Sequence, residues 1–397
     1  MLLFILIPLY LLMNFYIVWR SLRWLRTCHS FFGKKWFITG FVIVYVLLAT
    51  SLVTSLIVPA GAVQRSIKVI SNYWLGTLLY ILLFMLLADL IRLILLPFRR
   101  RLPDGFFHSR KVHAAAGAAV FCLVALFSVY GIFHAHDTKV TSYSVTVDKS
   151  CAGRDSLKIA LIADTHLGYS VGVPELQKAA DLINEMQPDV IALAGDIFDN
   201  DYDALDDPDR LIEIFQSMKS TYGIYACYGN HDVPEKLLAG FRLNTDSDRG
   251  ADTRMDDFLK AAGIHLLSDE SVLIDDAFYV AGRVDYSHGG ASSRLSPNEL
   301  LSDLDQQKPI IVIDHQPKEL EELADAGADL DLCGHTHDGQ IFPGNLATRI
   351  AWENSCGLLK KGDMYNIVTS GVGLWGPNMR VGTDSEVVEI TVEFEIG

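Results

Sequence analysis

The sequence predicts an α/β domain preceded by a bundle of four membrane-spanning helices, and three observations carry that prediction. Charge divides the 397 residues: positions 1–136 hold 13 Lys/Arg against only Asp89 and Asp104, a net of +11, whereas 137–397 carry −26. Hydropathy divides at the same place, because every long apolar run precedes residue 136. Beyond it, short apolar runs alternate with helix-like stretches, the pattern of strands and helices in an α/β sheet. The expected domains are therefore 1–136, embedded in a membrane, and 137–397, polar and acidic.

Four apolar runs, at roughly 2–19, 36–58, 70–96 and 112–133, reach the length of about 20 residues that a helix needs to cross a bilayer core. Trp19, Trp24, Trp36, Tyr73 and Trp74 lie near their ends, as interfacial aromatics do. The loop after the first run carries Arg20, Arg23, Arg26, Lys34 and Lys35, and the loop after the third carries Arg99, Arg100, Arg101, Arg110 and Lys111. Basic loops stay in the cytoplasm, so four spans put both termini, and residues 137–397, on the extracytoplasmic side of a plasma or inner membrane. Asp89 and Arg92, three residues apart, read as a helical ion pair near the interface.

In the acidic half, 140–147 alternates as a strand leading in from the membrane. LKIALIA (157–163), DVIALA (189–194) and GIYACY (223–228) read as short buried strands, with helix patterns across 174–186 and 205–219 between them. Further strands are expected at 278–282, 310–313, 329–333 and 387–395. In a mainly parallel sheet the ligand site lies beyond the carboxyl ends of the strands.

The chemically unusual residues stand there. LKIALIA runs into Asp164-Thr165-His166, DVIALA into Gly195-Asp196 with Asp199 three residues on, and GIYACY into Gly229-Asn230-His231-Asp232. PIIVID runs into His315, and LDLC into Gly334-His335-Thr336-His337. Each motif alone fits a polar turn. Their conjunction does not, because five strand ends gathering carboxylates, imidazoles and an amide bury ionisable groups at a cost that a cation offsets. Imidazole and carboxylate without thiolate suit Mn, Fe, Zn or Co. The ligands outnumber what one ion accepts, which points to two ions bridged by a carboxylate and acting on phosphorus.

The ordered set D-T-H, G-D-x-x-D, G-N-H-D, H and G-H-T-H resembles the calcineurin-like metallophosphoesterase superfamily. Its position after membrane spans resembles the transmembrane proteins with a metallophosphoesterase domain. The resemblance implies a four-layer α/β/β/α sandwich with two mixed sheets. It implies one metal, Mn favoured, on Asp164, His166, Asp196 and His337. A second is implied on Asn230, His315 and His335, with Asp196 bridging. His231 then lies over the phosphoryl group as a catalytic residue, and Asp232 orients it. In that subgroup the last histidine pair is followed by Gly-Gly-Gln, where this chain has Asp338-Gly339-Gln340, a departure that bears on substrate fit.

Other residues remain open between function and structure. Asp199 reads as a hydrogen-bonding neighbour of the bridge and the loop to Asp209 as solvated surface, while segment 235–254 reads as a loop or cap near the site. Arg283 and His288 are candidates for contacts to a substrate phosphate, against a plain surface loop. The turn of Gly371, Gly373 and Gly376 around Trp375 borders the cleft or serves structure alone. The expected activity is metal-dependent hydrolysis of a phosphodiester or pyrophosphate bond in a lipid-linked or envelope substrate. The alternatives are a phosphomonoesterase or a non-catalytic metal-binding membrane sensor. The acidic domain excludes nucleic acid as a charge-matched partner. Six Cys at irregular spacing form neither a CxxC pair nor a disulfide framework.

Overall fold

A computed structural model describes residues 2–59, 61–234, 237–238, 241–242, 252–287 and 294–394. The chain forms two compact units, 1–133 and 134–397.

The first unit consists of α1 (Leu2–Cys28), α2 (Lys35–Ile57), α3 (Ala62–Leu95) and α4 (Arg110–His134). All four are long and apolar enough to cross a membrane. Ile17, Tyr45, Ala49, Leu78 and Met85 form their buried contact, while side chains such as Ile57 and Phe133 point outward, each 74% exposed. Polar links between helices supplement the packing, as apolar surroundings favour: Tyr45 donates to Asn14 at 2.8 Å and Tyr10 to the Ala49 carbonyl at 2.7 Å. The expected pairing of Asp89 with Arg92 is replaced by one across helices. Asp89 accepts from Arg20 at 2.5 Å and from Tyr16 at 2.6 Å, because it faces α1.

The second unit is an α/β domain of two facing mixed sheets. The first contains β1 (Thr138–Val147), β2 (Ser156–Ile162), β3 (Val190–Ala194), β4 (Ile224–Cys227), β7 (Ile264–Leu266) and β14 (Ser385–Phe394), in the order β1-β14-β2-β3-β4-β7. The second contains β8 (Glu270–Ile274), β9 (Phe278–Gly282), β10 (Ile310–Ile313), β11 (Leu330–Cys333), β12 (Gly357–Lys361) and β13 (Met364–Val368), in the order β12-β13-β11-β10-β9-β8. A small pair, β5 (Leu237–Leu238) and β6 (Phe241–Arg242), stands apart. β2, β3, β4 and β7 are parallel, as are β9, β10, β11 and β13.

Apolar faces explain the layering. The helices α5 (Val173–Met186), α6 (Pro208–Ser217) and α7 (Thr253–Ala261) bury Leu176, Ile183, Phe215 and Phe258 against the first sheet. Leu157, Leu161, Phe278 and Ile313 fill the space between sheets. The short helices α8 (Pro297–Leu301) and α9 (Leu320–Asp325) cover the second sheet through Leu301 and Leu323. A last helix, α10 (Gly344–Ala351), follows the second sheet's histidine motif. The five motifs thus divide between two sheets rather than sharing one edge. β2, β3 and β4 carry three, and β10 and β11 carry two, since a strand's own periodicity does not say which sheet receives it.

Candidate metal centre

The site forms where the carboxyl ends of β2, β3 and β4 meet those of β10 and β11. Each strand ends in apolar or thiol residues, and the chain then turns sharply. Asp164, His166, Asp196, His335 and His337 all have positive φ, between 43° and 72°. Non-glycine residues rarely adopt that region, and its strain gathers at functional sites. Close approach matters at Gly229, where a Cβ would stand 2.2 Å from Oδ1 of Asp196. No side chain fits between the second and third motifs.

Seven expected ligands converge. Asp164, His166 and His337 form one group able to hold a cation, and Asp196, His315 and His335 form another. On one side Nε2 of His166 stands 3.1 Å from Nε2 of His337 and 3.7 Å from Oδ2 of Asp196. On the other, the same Asp196 oxygen lies 3.2 Å from Nε2 of His315. That His315 nitrogen is also 3.1 Å from Oδ1 of Asn230 and 3.2 Å from Nδ1 of His335.

The orientation of His315 explains what this cluster is built for. Its Nδ1–H donates to the Ala194 carbonyl at 2.9 Å, so Nε2 faces two oxygens, Oδ2 of Asp196 and Oδ1 of Asn230. Burial opposes a charge on the ring, but Asp196 and Asp164 outweigh it and hold the imidazole protonated, its pKa well above the ordinary value. A divalent cation among these donors would take the place of that proton, since a histidine ligates through its deprotonated nitrogen. A second-layer carbonyl that fixes the imidazole is the usual support of a metal-ligating histidine. Donors 3.1–3.2 Å apart also suit coordination bonds of about 2.1 Å. The residues present therefore fit divalent cations, with Oδ2 of Asp196 facing both groups.

Charge is strongly redistributed. Burial raises Asp164 to about 6. Burial also opposes ionisation of Asp196, but the imidazoles of His315, His231 and His166 outweigh it and hold that carboxyl well below the usual range. Burial and the neighbouring His315 lower His335 to about 3, which keeps its ring available as a ligand.

His231 sits at the edge of the group. Its backbone N–H donates to Oδ1 of Asp196 at 2.7 Å, and its ring centre is 5.1 Å from His166 and 6.2 Å from Trp375. Burial lowers its ring to about 4. The orienting contact expected from Asp232 comes instead from Asn200, whose Oδ1 meets Nδ1 of His231. Asp232 directs its oxygens to the backbone N–H groups of Phe198 (2.8 Å) and Gly229 (2.7 Å), and so fixes the loop rather than the imidazole.

Among the remaining candidates, Asp199 lies 3.7 Å from Nδ1 of His166 and forms with it and His231 a third group able to hold a cation. Arg283 is fully buried and paired with Asp314 at 3.0 Å and Glu319 at 2.9 Å, so it is not a phosphate contact. His288 lies outside the described residues, as does most of the expected cap at 235–254. The glycine turn does border the site: the Gly373 N–H donates to the Asp164 carbonyl at 2.8 Å. Buried Arg380 holds the carbonyls of Ser370, Gly371 and Gly373, and Gln340 bonds both N–H and C=O of Trp375. Trp352 packs edge-on against His335 at 5.1 Å, with Lys318 over its other side at 5.4 Å. Sequence reasoning did not find Asn200, Lys318, Trp352 or Arg380, none of which belongs to a strand-end motif.

Residues 157–339 match the family of calcineurin-like phosphoesterases, and this part of the chain is a calcineurin-like phosphoesterase domain. The chain is similar to a transmembrane protein with metallophosphoesterase domain from Danio rerio, 27% identical over 81% of this chain and 74% of that protein. It is also 27% identical to an uncharacterized metallophosphoesterase of Campylobacter jejuni, over 98% of this chain and 97% of the relative. A UDP-2,3-diacylglucosamine pyrophosphatase of Chlamydia trachomatis is 23% identical over 51% of this chain and 70% of its own length.

Proposed function

We propose that this membrane protein hydrolyses a phosphodiester or pyrophosphate bond in a lipid-linked or envelope substrate, using two divalent cations of which Mn²⁺ is the favoured pair. The observation that carries the reading is Oδ2 of Asp196, which faces imidazoles of both ligand groups at 3.7 and 3.2 Å. Asp164, His166, Asp196 and His337 would hold one ion, and Asp196, Asn230, His315 and His335 the other. When bound, such a pair supplies Lewis acidity toward a phosphoryl group and activates water for in-line attack.

The chain's own residues supply the rest. His231 acts through Nε2, because Asn200 takes the Nδ1 side. Burial lowers the ring to about 4, so Nε2 is unprotonated in the free site. The proton that the leaving oxygen needs is one that Nε2 first takes from the attacking water and then gives up readily. Asp232 keeps the loop of His231 in register through two backbone bonds. Trp375 closes one flank of His231, and Lys318 with Trp352 closes the flank beside His335. The membrane helices support a lipid-borne substrate, and so does the relative that bears the name of a glycolipid pyrophosphatase. The basic loops support an extracytoplasmic catalytic domain.

The test is hydrolysis by detergent-purified full-length protein with Mn²⁺, on a phosphomonoester, a phosphodiester and a lipid pyrophosphate. Turnover of the diester or the pyrophosphate is expected, with loss of both turnover and metal in Asp196→Asn. Full metal occupancy without turnover on any of the three would overturn the reading in favour of a metal-binding sensor.

A further inference from the structure

Helix α10 is amphipathic the wrong way round. An ordinary surface helix turns its apolar stripe to the core. In α10 the buried residue is Asn345, with Thr348 half-buried beside it, while Leu346, Ala347, Ile350 and Ala351 are exposed. At about 100° per residue these four occupy one continuous sector of about 140°. Leu346 is 51% exposed and Ile350 87%, and Phe342 adds a 40% exposed ring just before the helix. Ile350 is more exposed than any described large apolar residue of α1–α4, where the maximum is 74%. Exposed Arg349 flanks the row.

Both ends of α10 are tied to the metal centre. Eight residues separate His337 from Leu346 along the chain, and Gly339 packs so tightly on the helix start that a Cβ there would stand 2.3 Å from the Asn345 nitrogen. Arg349 lies 3.9 Å from Asp338, the residue after His337. Trp352, directly after the helix, is the ring that packs on His335.

We propose that the exposed face of α10 docks into the lipid bilayer, and that the metal centre is thereby held at the headgroup level. The occupant follows from the chain itself. α4 ends at His134 and β1 begins at Thr138, so three residues link the last span to the domain, and a three-residue linker reaches only about 11 Å. Lipid is the apolar phase in which the chain is anchored. A short apolar sector with a basic flank is the composition of an interfacial helix, and Arg349, exposed and 3.9 Å from Asp338, supplies that flank. The docking rests on membrane anchorage alone. Its consequence, presentation of a lipid phosphate to the site, rests on the function proposed above.

Two measurements on full-length protein in phosphatidylethanolamine/phosphatidylglycerol vesicles test it. In the first, Ile350→Cys carries an environment-sensitive fluorophore in a background with Cys28, Cys122 and Cys356 changed to serine. At least a twofold loss of emission is expected when brominated lipid replaces ordinary lipid. Emission that bromolipid leaves unchanged and aqueous iodide quenches overturns the proposal; protection from both means that protein covers this face, and also overturns it. In the second, the double variant Leu346→Asp/Ile350→Asp is expected to lose tenfold or more on a vesicle-borne phosphodiester. Its turnover of soluble bis(p-nitrophenyl) phosphate stays within twofold of the parent. Equal losses on the two substrates overturn the docking. Absence of turnover in the parent rejects the phosphoesterase reading instead, and the quenching result then decides the docking by itself.

Discussion

His231 reaches the site through two bonds of different kinds, one from its backbone to Asp196 and one from its ring to Asn200. Removing the ring leaves the ligands in place. His231→Ala is therefore expected to retain both ions by elemental analysis while kcat falls by about 10²–10⁴-fold, the usual worth of a positioned proton donor. Asn200→Ala keeps the ring but frees Nδ1, and a smaller fall of roughly 10-fold with unchanged metal content is expected. Metal loss in His231→Ala would show that the ring is a ligand. The cluster of candidate ligands was legible because a buried strand has no structural need to end in Asp-x-His or His-x-His. Asn200 was not legible, since an asparagine after an acidic residue in a polar loop looks like any turn former. Arg283 misled for a related reason: a cation after a strand looks solvent-facing until Asp314 and Glu319 are brought to it from later in the chain.

The strands show the same division. Runs such as IALIA and VIALA are apolar throughout and announce buried parallel strands. β12 and β13, interrupted by Lys360, Lys361 and Asn366, do not, and only the pairing of β13 with β11 and of β12 with β13 explains them. β11 hides a further oddity, Asp331 in the middle of a central strand. It accepts from Asn366 at 2.8 Å and from the Cys333 thiol at 3.3 Å, while its other oxygen is buried without a hydrogen-bond partner. Burial, with Asp314 nearby, raises its carboxyl to about 7. The folded protein thus keeps a proton that the unfolded chain releases near its ordinary value of about 4, so this group lowers stability as pH rises between those values. Asp331→Asn removes that slope. Relative to the parent, the variant is expected to gain up to about 1.4 kcal/mol per pH unit in the window. Comparing Tm at pH 5 and pH 7.5 in detergent checks it; an equal difference at both would refute the raised carboxyl.

The chain as a unit sets an acidic phosphoesterase domain directly after apolar, basic helices. The charge split alone announced that division, and the two compact units meet at residues 133 and 134. Sidedness is a matter of loop charge. With Arg and Lys following the first and third spans, protease added to intact cells is expected to digest the C-terminal domain, and leave it whole only if the basic loops lie outside. What the loops do not convey is how the domain closes. β1, the first strand after the membrane, pairs in parallel with β14 over ten residues, from Thr138–Ser385 to Val147–Phe394, and β14 separates it from β2. Glu386 of β14 also holds Thr369 and Ser370 at the start of the glycine turn beside Asp164. During synthesis, then, the helices enter the bilayer while the catalytic sheet still lacks its inner strand. On the function proposed above, a chain clipped before β14 is expected to carry its apolar helices but no assembled metal centre, and so no means of hydrolysing a lipid-borne phosphate.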